Sequence, residues 1–256
     1  MIFVTRPSPE GEQLTQLLNQ ANLPAKHLPF FKILPGRDLL NLQEQLTKLR
    51  PHDMVIVVSP QVSYVIKTYL CRLNLPTNVR YFAIGKKSAD LFNQMTTVNV
   101  NYPVQENSEG LLIRLQSEVI ENHTVLLLCG NVGRQLLAQE LIGRNAKVIP
   151  IECYCREPII YPTDILSHNI AEQTIIITSL EHLNQLELYS NLEHKQLTHL
   201  IVTSHRIFTV AKQHLWQNVL LVNGANNQNI LNAAMQNFPN SNKNGSSHIS
   251  YQHDEK

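Results

Sequence analysis

Met54-Val55-Ile56-Val57-Val58-Ser59-Pro60-Gln61 is an apolar, β-branched run that stops at a serine and a proline. Its lack of polar alternation predicts a buried strand, and Ser59-Pro60 reads as the cap and first residue of a following helix. The pattern returns about 120 residues later as Ile175-Ile176-Ile177-Thr178-Ser179, and ten residues beyond each serine stands a tyrosine, Tyr69 and Tyr189. At the same offset Ala25-Lys26-His27-Leu28-Pro29-Phe30 matches Ala146-Lys147-Val148-Ile149-Pro150-Ile151, with alanine, lysine and proline identical. Arg80–Gly85 falls on His199–Ser204, and Leu111-Leu112 on Ile230-Leu231. An internal duplication of strand and helix units follows, which predicts two similar α/β units with parallel sheets.

Working outward, strands are expected at Ile2–Thr5, Lys26–Leu34, Met54–Val58, Arg80–Ile84, Val98–Asn101, Thr124–Cys129, Lys147–Cys155, Thr174–Thr178, His199–Thr203 and Val219–Val222. Ten strands are many for one open sheet. Between them lie helical stripes such as Leu14, Leu17, Leu18 and Ala21, and Ala138, Leu141 and Ile142. After Phe238 the chain turns to Asn-Ser-Asn-Lys-Asn-Gly-Ser-Ser, so residues 241–256 are expected to be a disordered tail.

The chain has 256 residues, with 21 basic and 20 acidic side chains and a formal charge of +1. A nearly neutral surface has no long-range field for nucleic acid or an anionic membrane, so neither partner is expected. The longest apolar runs fall far short of the ~20 residues a membrane helix needs, and the amino end opens on a strand pattern rather than a signal peptide. Cys71, Cys129, Cys153 and Cys155 have neither a zinc nor a disulfide spacing, which fits a reduced, cytoplasmic protein.

In parallel α/β units ligands bind where strands end and helices begin, because helix N-termini present free N–H groups and partial positive charge. Those positions here carry Thr5-Arg6-Pro7, Ser59-Pro60-Gln61, Gly85-Lys86-Lys87-Ser88, Gly130-Asn131-Val132-Gly133-Arg134, Thr178-Ser179-Leu180 and Ser204-His205-Arg206. Six such ends from two units point to a cleft. Nine glycines include neither a dinucleotide fingerprint nor a Walker loop, and eleven histidines form no His-x-x-x-His pair. No cofactor and no metal are expected. A nucleophile elbow and a convincing carboxylate pair are missing as well, which leaves Tyr154, near the end of its strand, as the candidate for chemistry.

Taken in order, several stretches resemble the uroporphyrinogen-III synthase family, bacterial branch. They are Thr5-Arg6-Pro7, Val58-Ser59-Pro60-Gln61-Val62, Ala83-Ile84-Gly85-x-x-Ser88-Ala89 and Ser108-Glu109-Gly110-Leu111-Leu112. Gly133-Arg134-x-x-Leu137-x-x-x-Leu141, the strand ending in Tyr154 and Thr178-Ser179-x-Glu181-x-Leu183 continue the likeness. Val202-Thr203-Ser204-x-Arg206-Ile207-x-x-x-Ala211 and Asn223-Gly224-Ala225-Asn226-Asn227-x-x-Ile230-Leu231 complete it, from residue 2 to about 235. Two departures are Cys129, where the family often has a polar residue, and Ser88, where threonine is usual.

The resemblance implies two flavodoxin-like α/β/α lobes with parallel sheets, joined by a two-stranded β-ladder, with units exchanged along the chain. Carried over, lobe one is 1–33 plus 172–240, lobe two is 38–152, and 26–37 and 153–171 are the linker strands. It also implies a monomeric enzyme of haem biosynthesis that needs no cofactor. The reaction closes hydroxymethylbilane to uroporphyrinogen III, with loss of water and inversion of ring D. A cleft between the lobes would hold the substrate, with room for transient contact with the preceding pathway enzyme. Eight substrate carboxylates suit a near-neutral protein that binds through backbone N–H groups, with Thr5, Arg6, Ser59, Gln61, Ser88, Arg134, Thr178, Ser179, Ser204 and Arg206 as contacts. Tyr154 is the expected proton donor to the departing hydroxide. The alternative is a two-lobed module that binds a small polyanion without catalysis.

Overall fold

The structure is a computed structural model, and it describes residues 1–69, 73–131 and 135–237. The expected tail and Arg134 lie outside the described residues. The strands are β1 (Ile2–Val4), β2 (Ala25–His27), β3 (Phe31–Pro35), β4 (Met54–Val57), β5 (Arg80–Ala83), β6 (Val100–Asn101), β7 (Thr124–Gly130), β8 (Lys147–Pro158), β9 (Thr174–Ile177), β10 (His199–Val202) and β11 (Asn218–Leu221). The helices are α1 (Glu10–Gln20), α2 (Leu42–Thr47), α3 (Pro60–Tyr69), α4 (Lys86–Thr96), α5 (Ser108–Arg114), α6 (Gln135–Gly143), α7 (Leu180–Glu187), α8 (Leu192–Leu197), α9 (His205–Gln213) and α10 (Asn227–Asn237).

The chain forms two compact units. One contains Met1–Phe31 and the described residues from Pro158 onward, and the other is Lys32–Glu157. The first holds a sheet of order β11-β10-β9-β1-β2, and the second a sheet of order β3-β8-β7-β4-β5-β6. The internal duplication equates β1 with β7, β4 with β9, β5 with β10 and β6 with β11. Under that equation, and with β2 matched to β8, the two orders coincide except that β3 is an extra strand of the second sheet, and strands from opposite halves of the sequence are exchanged between sheets. The order β2-β1-β9-β10-β11, read from the amino end, is the flavodoxin-like 2-1-3-4-5 arrangement.

Each sheet is buried on both faces, which is why its strands read as continuous apolar runs. In the first unit Leu14 and Leu18 of α1 and Ile230 and Ala234 of α10 cover Val4, Ile176 and Ile201. Leu183 and Leu186 of α7 and Ile207 and Ala211 of α9 cover Ile175, Ile177 and Val202 on the other face. In the second unit Leu46, Val62, Ile66 and Phe92 pack on Val55, Val57, Leu126 and Leu128. Leu111, Leu115, Leu137 and Leu141 pack on Ile56, Phe82 and Leu127. In α6 the buried stripe is Leu137 and Leu141, while Ile142 of the expected stripe is 56% exposed.

The expected strand Lys26–Leu34 is two strands. Leu28 and Phe30 still donate backbone N–H bonds to Val4 and Thr5, but Pro29 between them has no N–H and the regular ladder stops there. β2 therefore belongs to the first sheet, and β3 to the second. There β3 pairs with β8: Gly36 N–H donates to Cys153 O, and Lys32 meets Glu157 at 3.0 Å. Partner numbers that rise on one strand and fall on the other make this pair antiparallel. The pair forms part of the six-stranded sheet, with β3 as its outer strand.

Candidate functional site

In the first unit, parallel register carries all the strand C-termini to one edge. Val4 is level with Ile176, Ile177 with Val202, and Val202 with Leu221. Two residues further on, Ser179, Ser204 and Asn223 come level with one another. Ser179 caps α7 by accepting the His182 backbone N–H at 3.2 Å, and Ser204 caps α9 by accepting that of Ile207 at 3.3 Å. A capping serine uses a lone pair and keeps its O–H to donate, so both can still bind an acceptor such as a carboxylate. Thr178 lies beside them, half-buried, with Oγ1 3.3 Å from His182 Nδ1. Arg206, in the first turn of α9, is exposed, and its guanidinium has no ion-pair partner among the described residues.

Thr5 and Arg6 occupy the same edge but face inward. Thr5 is sealed from solvent and its hydroxyl donates to Ile176 O at 2.7 Å. Arg6, 8% exposed, reaches Glu10 at 2.5 Å through Nη2. Its Nη1 donates to Ala225 O at 3.0 Å and to Asn227 Oδ1 at 2.8 Å. The guanidinium thereby ties the end of β1 to the loop between β11 and α10, the Asn223-Gly224-Ala225-Asn226-Asn227 stretch. Gly224 has φ of +84°, a left-handed conformation that favours glycine.

In the second unit Val57 is level with Ala83 and with Leu128. Two steps on, Ser59 comes level with Gly85 and Gly130, and Gly130 pairs with Tyr154 across a bulge. Ser59 Oγ accepts the Gln61 backbone N–H at 3.2 Å, and Gln61 itself is buried. Ser88, in the first turn of α4, is 5% exposed, and its hydroxyl has no partner among the described residues. The register thus gathers Ser59, Gln61, Ser88 and Tyr154 on one edge, as it gathers Thr178, Ser179, Ser204 and Arg206 on the edge of the other unit.

Tyr154 is 4% exposed, and its hydroxyl makes no hydrogen bond to a described residue. The ring lies against Gly130, where an added Cβ would fall 2.5 Å from Cε2 and 3.0 Å from the phenol oxygen. Arg156 places its guanidinium carbon 5.8 Å from the ring centroid. Asn131 extends the β7–β8 ladder through its side chain, accepting the Arg156 N–H at 3.1 Å, while its own N–H donates to Tyr154 O. Behind this row burial pushes the Cys129 thiol up to about 11, assisted by the charges of Glu152 and Asp38, and raises Cys153 further. These thiols are inert packing groups.

The sequence places Gly130 and Asn131 at a strand end but gives neither a role, and His182 escapes it. The role of Gly130 depends on a ring 24 positions away in sequence. For His182 the local signal is Ser-x-x-His, in which the third helical residue reaches back toward the cap, as His194 does to Asn191. Among the described residues no group of three or more His, Cys, Asp or Glu side chains is placed to hold a metal ion. No helix among them is long and apolar enough to cross a membrane.

A family model described as uroporphyrinogen-III synthase HemD matches residues 12–230. The chain belongs to the uroporphyrinogen-III synthase family. The uroporphyrinogen-III synthase of Salmonella typhimurium is 32% identical over 244 residues, which cover 91% of this chain and 98% of that protein. The Proteus mirabilis uroporphyrinogen-III synthase is 40% identical over 166 residues, 64% of this chain and 83% of that one. A crystal structure of a mutant uroporphyrinogen III synthase from Thermus thermophilus superposes with a TM-score of 0.64 at 12% identity, covering 92% of this chain and 96% of that one. The uroporphyrinogen-III synthetase of Helicobacter pylori gives a TM-score of 0.56 at 15% identity, with 92% and 97% covered. At such identities the solved structures speak for the two-unit α/β fold that uroporphyrinogen-III synthases share.

Proposed function

We propose that this protein closes hydroxymethylbilane to uroporphyrinogen III, acting as a cofactor-independent, cyclising carbon–oxygen lyase. The observation that carries the reading is family membership over nearly the whole chain, joined to a phenol that makes no hydrogen bond to a described residue and lies level with the end of β7. The substrate bears eight carboxylates. Ser59 and Ser88 in one unit, and Thr178, Ser179, Ser204 and Arg206 in the other, offer O–H, backbone N–H and guanidinium donors suited to them. Arg134 and Gln61 complete the proposed contacts, whereas Thr5 and Arg6 act from behind by holding the edge in place.

Loss of the terminal hydroxyl needs a proton. A phenol is neutral at pH 7, so the waiting donor places no charge in its buried position, and the phenolate left by the transfer faces the cation formed on the substrate. Tyr154 is the donor in this scheme. Departure of the hydroxyl as water leaves an electrophilic methylene conjugated with its pyrrole, and the substituted α-carbon of ring D attacks it to form the spiro intermediate. The bond from that carbon to the methylene it shared with ring C then breaks, and this methylene closes onto the free α-carbon of ring D, which releases its proton and leaves D inverted. The rest of the rate comes from holding the flexible chain so that its ends meet, an entropy-trap effect. The enzyme works in this reading as a cytoplasmic monomer that receives its substrate from the preceding pathway step.

Tyr154→Phe tests the assignment, because it keeps the ring against Gly130 and removes only the hydroxyl. The expected result is kcat lower by roughly ten- to a thousandfold, the range of general-acid assistance, with a larger fraction of type I product from spontaneous closure. An unchanged rate and isomer ratio would remove Tyr154 and leave substrate folding as the source of catalysis.

A further inference from the structure

Among the described histidines, His182 alone is bonded to a hydroxyl of the proposed binding edge. It is 5% exposed, at the third position of α7, and its backbone N–H donates to the capping Ser179. Its ring stacks on Phe31, with centroids 5.6 Å apart and planes 29° from parallel, and Phe31 is itself buried. The imidazole is therefore held by backbone and by stacking, and Nδ1 lies 3.3 Å from Thr178 Oγ1.

We propose that His182 is a positioning residue: it fixes the hydroxyl rotor of Thr178 so that the threonine proton points outward, to a substrate carboxylate. A threonine hydroxyl has one proton and two acceptor lone pairs. Unrestrained, it divides its time among rotamers, including one that turns the proton inward. A carboxylate only accepts, so the outward direction is productive only if the inward side of the oxygen is itself satisfied as an acceptor. Imidazole in the Nδ1–H form does this. It donates to a Thr178 lone pair and leaves the O–H available to the ligand. The stack on Phe31 maintains that geometry before substrate arrives, and preorganised donors bind anions more tightly than donors that must reorient.

The inference rests on the reading of Thr178 as a substrate contact, and the test separates the two. Steady-state cyclisation of freshly made hydroxymethylbilane is measured for Thr178→Val, His182→Phe, His182→Asn and the double variant Thr178→Val/His182→Phe, with a melting curve for each. Thr178→Val is expected to lower kcat/KM by roughly ten- to a hundredfold, as for loss of a hydrogen bond to a charged group, mainly through KM. His182→Phe keeps a ring to stack on Phe31 and is expected to lose roughly three- to tenfold, also in KM. His182→Asn restores a short N–H donor and recovers most of that loss. In the Thr178→Val background His182→Phe has no further effect, because there is no rotor left to orient.

If Thr178→Val keeps full kcat/KM, the substrate-contact reading of Thr178 fails, and the inference with it. If Thr178→Val is impaired but His182→Phe is not, or if the two losses simply multiply, the inference fails while that reading stands. Equal damage in the Phe and Asn variants, tracking lowered melting temperature, assigns His182 to packing alone and likewise overturns the proposal.

Discussion

Replacing Arg6 by methionine distinguishes a structural arginine from a substrate-binding one. The Arg6 and Glu10 side chains are 10% and 11% exposed, and the guanidinium also holds Ala225 O and Asn227 Oδ1. Arg6→Met fills much of the volume but leaves the Glu10 carboxylate without its guanidinium and unties the β11–α10 loop. Removing one partner of a buried ion pair destabilises by about 3–5 kcal/mol. At about 2–4 °C per kcal/mol for a chain of this size, the first unit should melt roughly 6–20 °C lower. Trp216, the only tryptophan, is fully buried in that unit, so its fluorescence reports the transition. Because an ion pair replaced by apolar residues is often close to neutral, Arg6→Met/Glu10→Leu should regain most of the loss. A melting temperature unchanged in Arg6→Met, together with a raised KM, would refute this assignment and make Arg6 a substrate ligand.

Other consequences follow from single contacts. Gly130→Ala sets a methyl group 2.5 Å from the Tyr154 ring, so the ring must shift; activity should fall by roughly a hundredfold, and an unaltered rate would show that the ring position is unimportant. Burial alone pushes the Glu187 carboxyl upward, but Lys195 at 2.6 Å, the Trp216 indole at 2.7 Å and His214 outweigh it and hold the carboxyl below its ordinary 4.5. A carboxyl depressed in the folded state stabilises above its unfolded value, and that stability is lost as pH falls through the folded value. Trp216 fluorescence should therefore report loosening of this corner below about pH 4.5, and Glu187→Gln should abolish that step; an identical acid profile in the variant would contradict the assignment.

Strand positions and the two-unit plan were legible because parallel strands buried on both faces leave uninterrupted apolar runs such as Val55–Val58 and Ile175–Ile177. The exchange of strands between sheets was not. Repeated units look alike wherever they pair, and only the resemblance pointed to the swap. The break at Pro29 was hidden inside an apolar stretch on which the loss of one N–H decides the pairing. Strand-end serines and threonines were readable as a class, since capping and anion binding draw on the same residue types. Which of them keep a donor was not readable. Arg6 and Arg206 both follow strand ends, yet one is committed to Glu10 and the far loop, and the other stands exposed. That difference depends on where residues 225–227 fold, more than 200 positions away in sequence.

The most direct test is the isomer formed by the purified, metal-stripped protein from freshly made hydroxymethylbilane, resolved by chromatography after oxidation to the porphyrins. The expected product is predominantly the type III isomer, at a rate unaffected by chelator. Type I product alone, at the spontaneous rate, would contradict the catalytic reading and leave a module that binds a polyanion without turning it over.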